Sequence, residues 1–237
     1  MDVRVGTSGF SYKHWKGVFY PDDVPQRKWL EYYTNHFNTL EINASFYRLP
    51  QKKTVEGWYE RTPKDFNFVF KGSKVVTHIK KLKDCEDEIK AFYRQISYVK
   101  EKLGPVLWQI PPGLKIDETL LEAFLSTVVS GSTPVIEFRN ATWYTDRIFS
   151  LLEEKGASLC LHDMPGSKPP DVVTSPVLYL RFHGLKGRYR GNYPDEHLKA
   201  RAEWVKSVSP SLCYAFFNND VEGYAPKNAK TLKDFFD

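Results

Sequence analysis

Short apolar runs of strand length alternate with stretches of helical period from one end of the chain to the other. The strand-like runs are Val3–Ser8, Thr39–Ser45, Phe66–Gly72, Pro105–Ile110, Pro134–Arg139, Ser158–Asp163, Val177–His183 and Leu212–Asn219. They are rich in Val, Ile, Leu, Phe and Tyr and are bounded by Gly, Pro, Asn or Asp, as buried strands are. Between them, apolar residues recur at three- and four-residue spacing, which predicts helices over Gln26–Phe37, Lys53–Arg61, Asp84–Leu103, Asp146–Lys155, Asp195–Val208 and Lys227–Phe236. A further helix runs from an Asp117 N-cap to Val129. The stretch after the sixth strand, MPGSKPPDVVTS, carries too much Pro and Gly for a helix.

Alternating strands and helices predict a parallel sheet. Eight such units in 237 residues predict one TIM-type (β/α)8 barrel domain over residues 1–237, with the sixth helix short or missing. An open doubly wound sheet is the competitor. Its nucleotide-binding forms lose support because no strand is followed by GxGxxG or by GK[ST].

Polar residues interrupt the ends of these strands, and period-two geometry sorts them by face. Glu41 and Asn43 share a face, as do Glu137 and Arg139, Cys160 and His162, and Tyr179, Arg181 and His183. Charges on the inner face of a buried strand are costly unless paired. The mouth of a barrel, at the C-terminal strand ends, is also where barrel enzymes carry their sites. Together these place a polar pocket there, with Glu41, Glu137, His162 and His183 as candidate acid/base groups. Asn43, Tyr47, Lys71, His78, Gln109, Arg139, Trp143, Asp163, Arg181, Arg188, Asn218 and Asn219 are candidate binding groups, with one of the last two facing inward. The loop GLKGRYRGNYP adds Lys186, Arg188 and Arg190 among three glycines, a pattern suited to an oxyanion. Glu137 and Arg139 are expected to pair directly.

Composition narrows the picture. With 41% hydrophobic and 27% charged residues the chain is an ordinary globular protein, and a net charge of +5 permits an anionic ligand without requiring nucleic acid. Aromatics reach 15%, and Phe10, Tyr12, Trp15, Phe46, Tyr47 and Trp143 fall where a barrel rim would be. Three widely spaced cysteines support neither a disulfide framework nor a zinc site. The first residues read directly as a strand, no apolar run approaches membrane-spanning length, and a cytoplasmic location is expected.

The strings GTSGF-x-Y-x-x-W, FNTLEINASFYRLP, FKG…TH, QIPP, EFRNATW, YLRFHG and FFNND with a following NA occur in order across nearly the whole chain. In these the chain resembles the YecE-like family, a domain of unknown function (72). The resemblance implies a single TIM-type barrel and assigns no catalytic residue.

Three functional readings remain open. One is an enzyme of hydrolase or lyase type acting on an anionic phosphate- or carboxylate-containing small molecule. Arg139, Arg181 and the Lys186–Arg190 loop would hold the anion, and no cofactor is required. A second is a divalent-metal phosphodiesterase acting on nucleic acid, with Glu41, Glu137, His162, Asp163 and His183 as ligands. A third is a non-catalytic ligand-binding barrel. Glycoside hydrolysis is disfavoured, because the strand ends that carry paired carboxylates in familiar barrel glycosidases hold Gln109 and Arg181/His183 here. GTSG is not a GxSxG nucleophile elbow. The residues leave oligomeric state open.

Overall fold

The computed structural model of the protein describes residues 1–128, 132–164 and 167–236. Eight parallel strands appear: β1 (Asp2–Thr7), β2 (Thr39–Ile42), β3 (Asn67–Lys71), β4 (Leu103–Ile110), β5 (Pro134–Phe138), β6 (Ser158–His162), β7 (Val177–Phe182) and β8 (Leu212–Phe217). Their order in the sheet is β1-β8-β7-β6-β5-β4-β3-β2. The two remaining edges meet at a parallel bridge between Ser8 and Glu41, where the Gly9 amide donates to the Glu41 carbonyl at 2.8 Å. The sheet therefore rolls into a TIM-type barrel. Gly6 permits that seam, because a Cβ there would lie 2.3 Å from the Thr39 carbonyl oxygen.

Alternation along each strand divides the core in two. Outward residues such as Phe68, Ile136, Phe138, Leu180 and Phe217 pack under the helices. Inside lies a separate plug of Val69, Leu107, Val135, Cys160, Tyr179, Tyr214 and Phe216. Two residues further along five of those strands come Lys71, Gln109, Glu137, His162 and Arg181. The polar layer thus sits directly on the apolar plug, at the C-terminal mouth.

The helices are α1 (Trp29–Thr34), α2 (Ala44–Tyr47), α3 (Lys52–Glu60), α4 (Glu86–Ile96), α5 (Glu118–Val128), α6 (Asp146–Glu154), α7 (Asp195–Val208) and α8 (Tyr224–Asp234). The Asp117 carboxylate caps α5 by accepting the Leu120 amide at 3.0 Å. As expected, no helix follows β6 among the described residues. Its place is taken by an extended loop, in which Thr174 accepts the Leu159 amide and donates to the Ala157 carbonyl.

Two expectations change, and a stretch with no predicted element takes form. The strand expected to reach Ser45 stops at Ile42, because Asn43 turns into helical backbone (φ −81°, ψ −22°) and α2 begins. The helix expected over Asp84–Leu103 is α4 followed by a 3-10 segment, Ser97–Lys102. There the buried Lys102 ammonium donates to the Tyr59 and Thr62 carbonyls, both at 2.7 Å, and tethers the end of α3. The basic stretch after β3 is a π-helical turn, Val75–Ile79. Among the described residues, no helix is long and apolar enough to cross a membrane.

One turn supports the mouth directly. Gly184 ends β7 with φ +103°, and a Cβ there would lie 2.1 Å from the Arg190 carbonyl oxygen. A Gly184→Ala variant is expected to lose at least about 1–3 kcal/mol of stability. Chemical denaturation checks this, and an unchanged midpoint would contradict it.

Candidate active site at the barrel mouth

The floor of the mouth is a buried ion network. Arg181, at the end of β7, reaches across the barrel and donates through Nη2 to Glu41 Oε1 and through Nη1 to Glu137 Oε2, each at 2.7 Å. Glu41 Oε1 also accepts from the Ser8 hydroxyl, and Oε2 from the Tyr179 hydroxyl, both at 2.6 Å. Arg139 pairs with the other oxygen of Glu137, so the expected Glu137–Arg139 pair is present. Two carboxylates and two guanidiniums cancel, which is how a layer of full charges survives without solvent. Burial pushes the Glu137 carboxyl up, but Arg139 and Arg181 overcome that and hold it well below the usual carboxylate range. Glu137 is therefore a fixed anion under the site, unsuited to donating a proton.

His183 stands beside this network. Its Nε2 lies 3.1 Å from Arg139 Nη2 and 3.3 Å from Arg181 Nη1. Guanidiniums only donate, so Nε2 accepts and the imidazole proton sits on Nδ1. That nitrogen faces Asp163 Oδ1 at 3.5 Å, the outer limit of a hydrogen bond. Burial is the main cause that pushes His183 down to about 4; the Asp163 contact opposes it. Asp163 is itself held in place: Oδ1 accepts the His183 amide at 2.6 Å, and Oδ2 accepts the Tyr193 hydroxyl.

Above the network lies a cavity of about 230 Å³, lined by Tyr12, Asn43, Tyr47, Lys71, Gln109, Arg139, Arg181, Tyr189, Asn218 and Asp220. Seven of these were expected binding residues, brought together from six strand ends and α2. Lys71 Nζ donates to Gln109 Oε1 at 2.5 Å and lies 4.4 Å from the centre of the Phe46 ring. It forms no salt bridge among the described residues. Burial, followed by the nearby Arg181, pushes Lys71 down to about 8. Buried Asn43 Oδ1, Arg139 Nε and Arg181 Nε have no hydrogen-bond partner among the described residues.

Other expected residues lie elsewhere. His162 does not face the cavity as a free base: Nε2 lies 3.1 Å from the Phe138 carbonyl, and Nδ1 accepts the Met164 amide at 3.2 Å. Trp143 stacks on the outward side of Phe138, with ring centres 4.8 Å apart, and donates to the Leu114 carbonyl, so it is core. Asn219 turns away to bond the Gly191 carbonyl and Asn228, pinning the loop after β7, and Asn218 is the inward member of the pair. Arg188 is exposed and absent from the lining; that loop instead contributes Tyr189, held at φ +66°. His78 is one layer back, bonded to Thr77 and edge-on to Phe46. Asp163 orients His183 and does not line the cavity. Glu41, fully enclosed by donors, and His183, fully buried, lie beneath or behind the lining.

Sequence reasoning missed Tyr189, Tyr193 and Asp220. Tyr189 and Tyr193 belong to a loop whose arginines drew the attention, and the alternation rule stops where a strand stops. The residues proposed as metal ligands are also dispersed. Arg181 fills the space between Glu41 and Glu137, and no group of three or more His, Cys, Asp and Glu side chains among the described residues could hold a metal ion.

A larger cavity of about 720 Å³ lies on the flank between α8 and the loops around Phe19 and Phe37. It holds none of the strand-end groups, so the smaller cavity at the mouth is the better candidate.

Comparison with known proteins agrees with the fold. The Bacillus subtilis UPF0759 protein YunF is 25% identical over 92% of this chain and 90% of its own length. The crystal structure of a DUF72 family protein from Thermotoga maritima superposes with a TM-score of 0.88 at 31% identity, covering 100% of this chain and 99% of that one. A DUF72 family protein from Enterococcus faecalis gives 0.84 at 22% identity over 98% of this chain and 94% of its own. The model of the family described as "Protein of unknown function DUF72" matches residues 4–237, and the chain belongs to that family.

Proposed function

We propose that the chain is an enzyme that binds a small anionic molecule at the barrel mouth and moves a proton on it. The observation that carries this reading is the convergence of Lys71, Arg139 and Arg181 with Asn43 and Gln109 in the wall of one cavity. Arg139 Nε and Arg181 Nε are donors without acceptors, and Asn43 Oδ1 is an acceptor without a donor. Buried polar groups rarely go unsatisfied, and these three belong to residues that share one cavity wall. A phosphate or carboxylate suits the two guanidiniums, and a ligand hydroxyl suits Asn43.

Charge supports the same reading. The network below is neutral; of the two further charges in the cavity wall, Asp220 lies 3.7 Å from His14, while Lys71 forms no salt bridge among the described residues and has Gln109 as its polar partner. An amine at about 8 is poised to exchange a proton near neutral pH. Of the acid/base candidates read from the sequence, Glu41, Glu137 and His183 serve instead to hold the arginines in place.

Arg139 is the more accessible guanidinium, 10% exposed where Arg181 is 1%. Replacing it with Gln is expected to weaken inorganic phosphate binding roughly 10- to 100-fold, the worth of one charge-assisted hydrogen bond. Arg188→Gln on the basic loop should leave binding unchanged. Calorimetric titration of both variants checks this. Loss on the loop with retention at Arg139 would contradict the reading.

A further inference from the structure

We propose that Lys71 is a covalent catalyst: its amine adds to the carbonyl carbon of a small aldehyde or ketone that carries an anionic group, forming a Schiff base at the barrel mouth. This rests on the reading of the cavity as an anion site and names the class of molecule that site takes.

The geometry around Nζ is that of a nucleophile more than of a charge clamp. A lysine that serves only as a charge is best held by a carboxylate, which also fixes its third proton. Here the hydrogen-bond partner is the neutral Gln109 amide oxygen at 2.5 Å, which accepts from an ammonium or an amine alike. The Phe46 ring, 4.4 Å away, takes up another side of the group and keeps water from it. The two carboxylates nearby, Glu41 and Glu137, are already bound to Arg181. With Lys71 at about 8, roughly one amine in ten is free at pH 7. Desolvation beside other cations is a recognised way of activating a lysine.

The cavity can also accommodate the rest of the molecule. Arg139, the more accessible guanidinium, lines the cavity and can donate to the anionic group, and the Asn43 amide in the same wall can bond the hydroxyl that forms on addition. In the step itself, the nitrogen lone pair forms the C–N bond while the carbonyl π pair moves to oxygen. That oxygen takes one proton from the nitrogen and one from solvent and leaves as water. The nitrogen keeps its other proton, so the product is an iminium. No oxidant or reductant is needed. The iminium retains the single positive charge that Lys71 carried, so the electrostatics below are undisturbed. It can accept the electron pair released when a bond one carbon from the former carbonyl breaks, a lyase-type outcome.

The test uses the unaltered protein with glycolaldehyde phosphate as probe, sodium borohydride to reduce any imine, and peptide mapping by mass spectrometry. Exposed Lys52 and Lys199 serve as internal references. Lys71 is expected to be labelled at least tenfold faster than these, with a midpoint near pH 8 and with competition from inorganic phosphate. Glycolaldehyde without the phosphate should label Lys71 more slowly than its phosphate ester does. If phosphate binds at the mouth but Lys71 is labelled no faster than Lys52 and Lys199, the covalent role is overturned and the anion site stands. If phosphate does not bind there either, both readings fall.

Discussion

An Arg181→Met variant is expected to lose roughly 3–5 kcal/mol of stability, enough to unfold many domains of this size. The methionine fills much of the same volume, so the loss comes from charge. Glu41 and Glu137 would be left facing each other inside the barrel, with the Ser8 and Tyr179 hydroxyls and Arg139 as their remaining partners. The double variant Glu41→Gln/Arg181→Met removes one charge of each sign, keeps the Glu137–Arg139 pair, and should recover much of the loss, because a buried ion network is itself expensive to desolvate. Urea midpoints of the two proteins measure this. If the single variant is as stable as the parent, the network is not the keystone of the mouth.

Acid is expected to destabilise the fold well before carboxylates begin to titrate. His183 is pushed from an ordinary value of 6.5 down to about 4, so between these values the unfolded chain binds a proton that the folded one refuses. Stability from this group is complete above pH 6.5 and falls steadily to pH 4, by about 3 kcal/mol in total. His162, lowered mainly by burial, contributes in the same direction. Glu137 adds a separate loss only below pH 4.5, since its folded value lies beneath the unfolded one. A His183→Gln variant should flatten the upper part of this curve. Thermal melts from pH 7 to 4 check the prediction, and a parent protein with a flat profile between pH 6.5 and 5 would contradict it.

Much of this architecture is legible from local pattern. Apolar runs locate all eight strands, and α7 occupies the same residues the helical period predicts, Asp195–Val208. Period-two alternation places Glu137 and Arg139 on one face, and they do pair. What alternation cannot supply is the partner across the barrel. Arg181 bonds Glu41, 140 positions away in the chain, and no local signal marks that reach. Nor does it govern residues past a strand end. Trp143 lies five positions beyond Phe138 and folds back onto that strand's outer face, although its neighbours Glu137 and Arg139 point in. Arg188 and Tyr189 are adjacent, yet the positive φ of Tyr189 directs the tyrosine, not the arginine, to the cavity. Asn218 and Asn219 could be separated only once β8 had a register, Phe216 opposite Arg181.

The central claim is that Lys71 and Arg139, above the Glu41–Arg181–Glu137 floor, form an oxyanion site. Crystals soaked in selenate test it directly, because anomalous scattering locates the anion independently of any assumed pose. One site is expected inside the mouth, within hydrogen-bond distance of the Arg139 guanidinium and close to Lys71. Selenate bound only on the exposed Lys186–Arg190 loop, or nowhere, would contradict it.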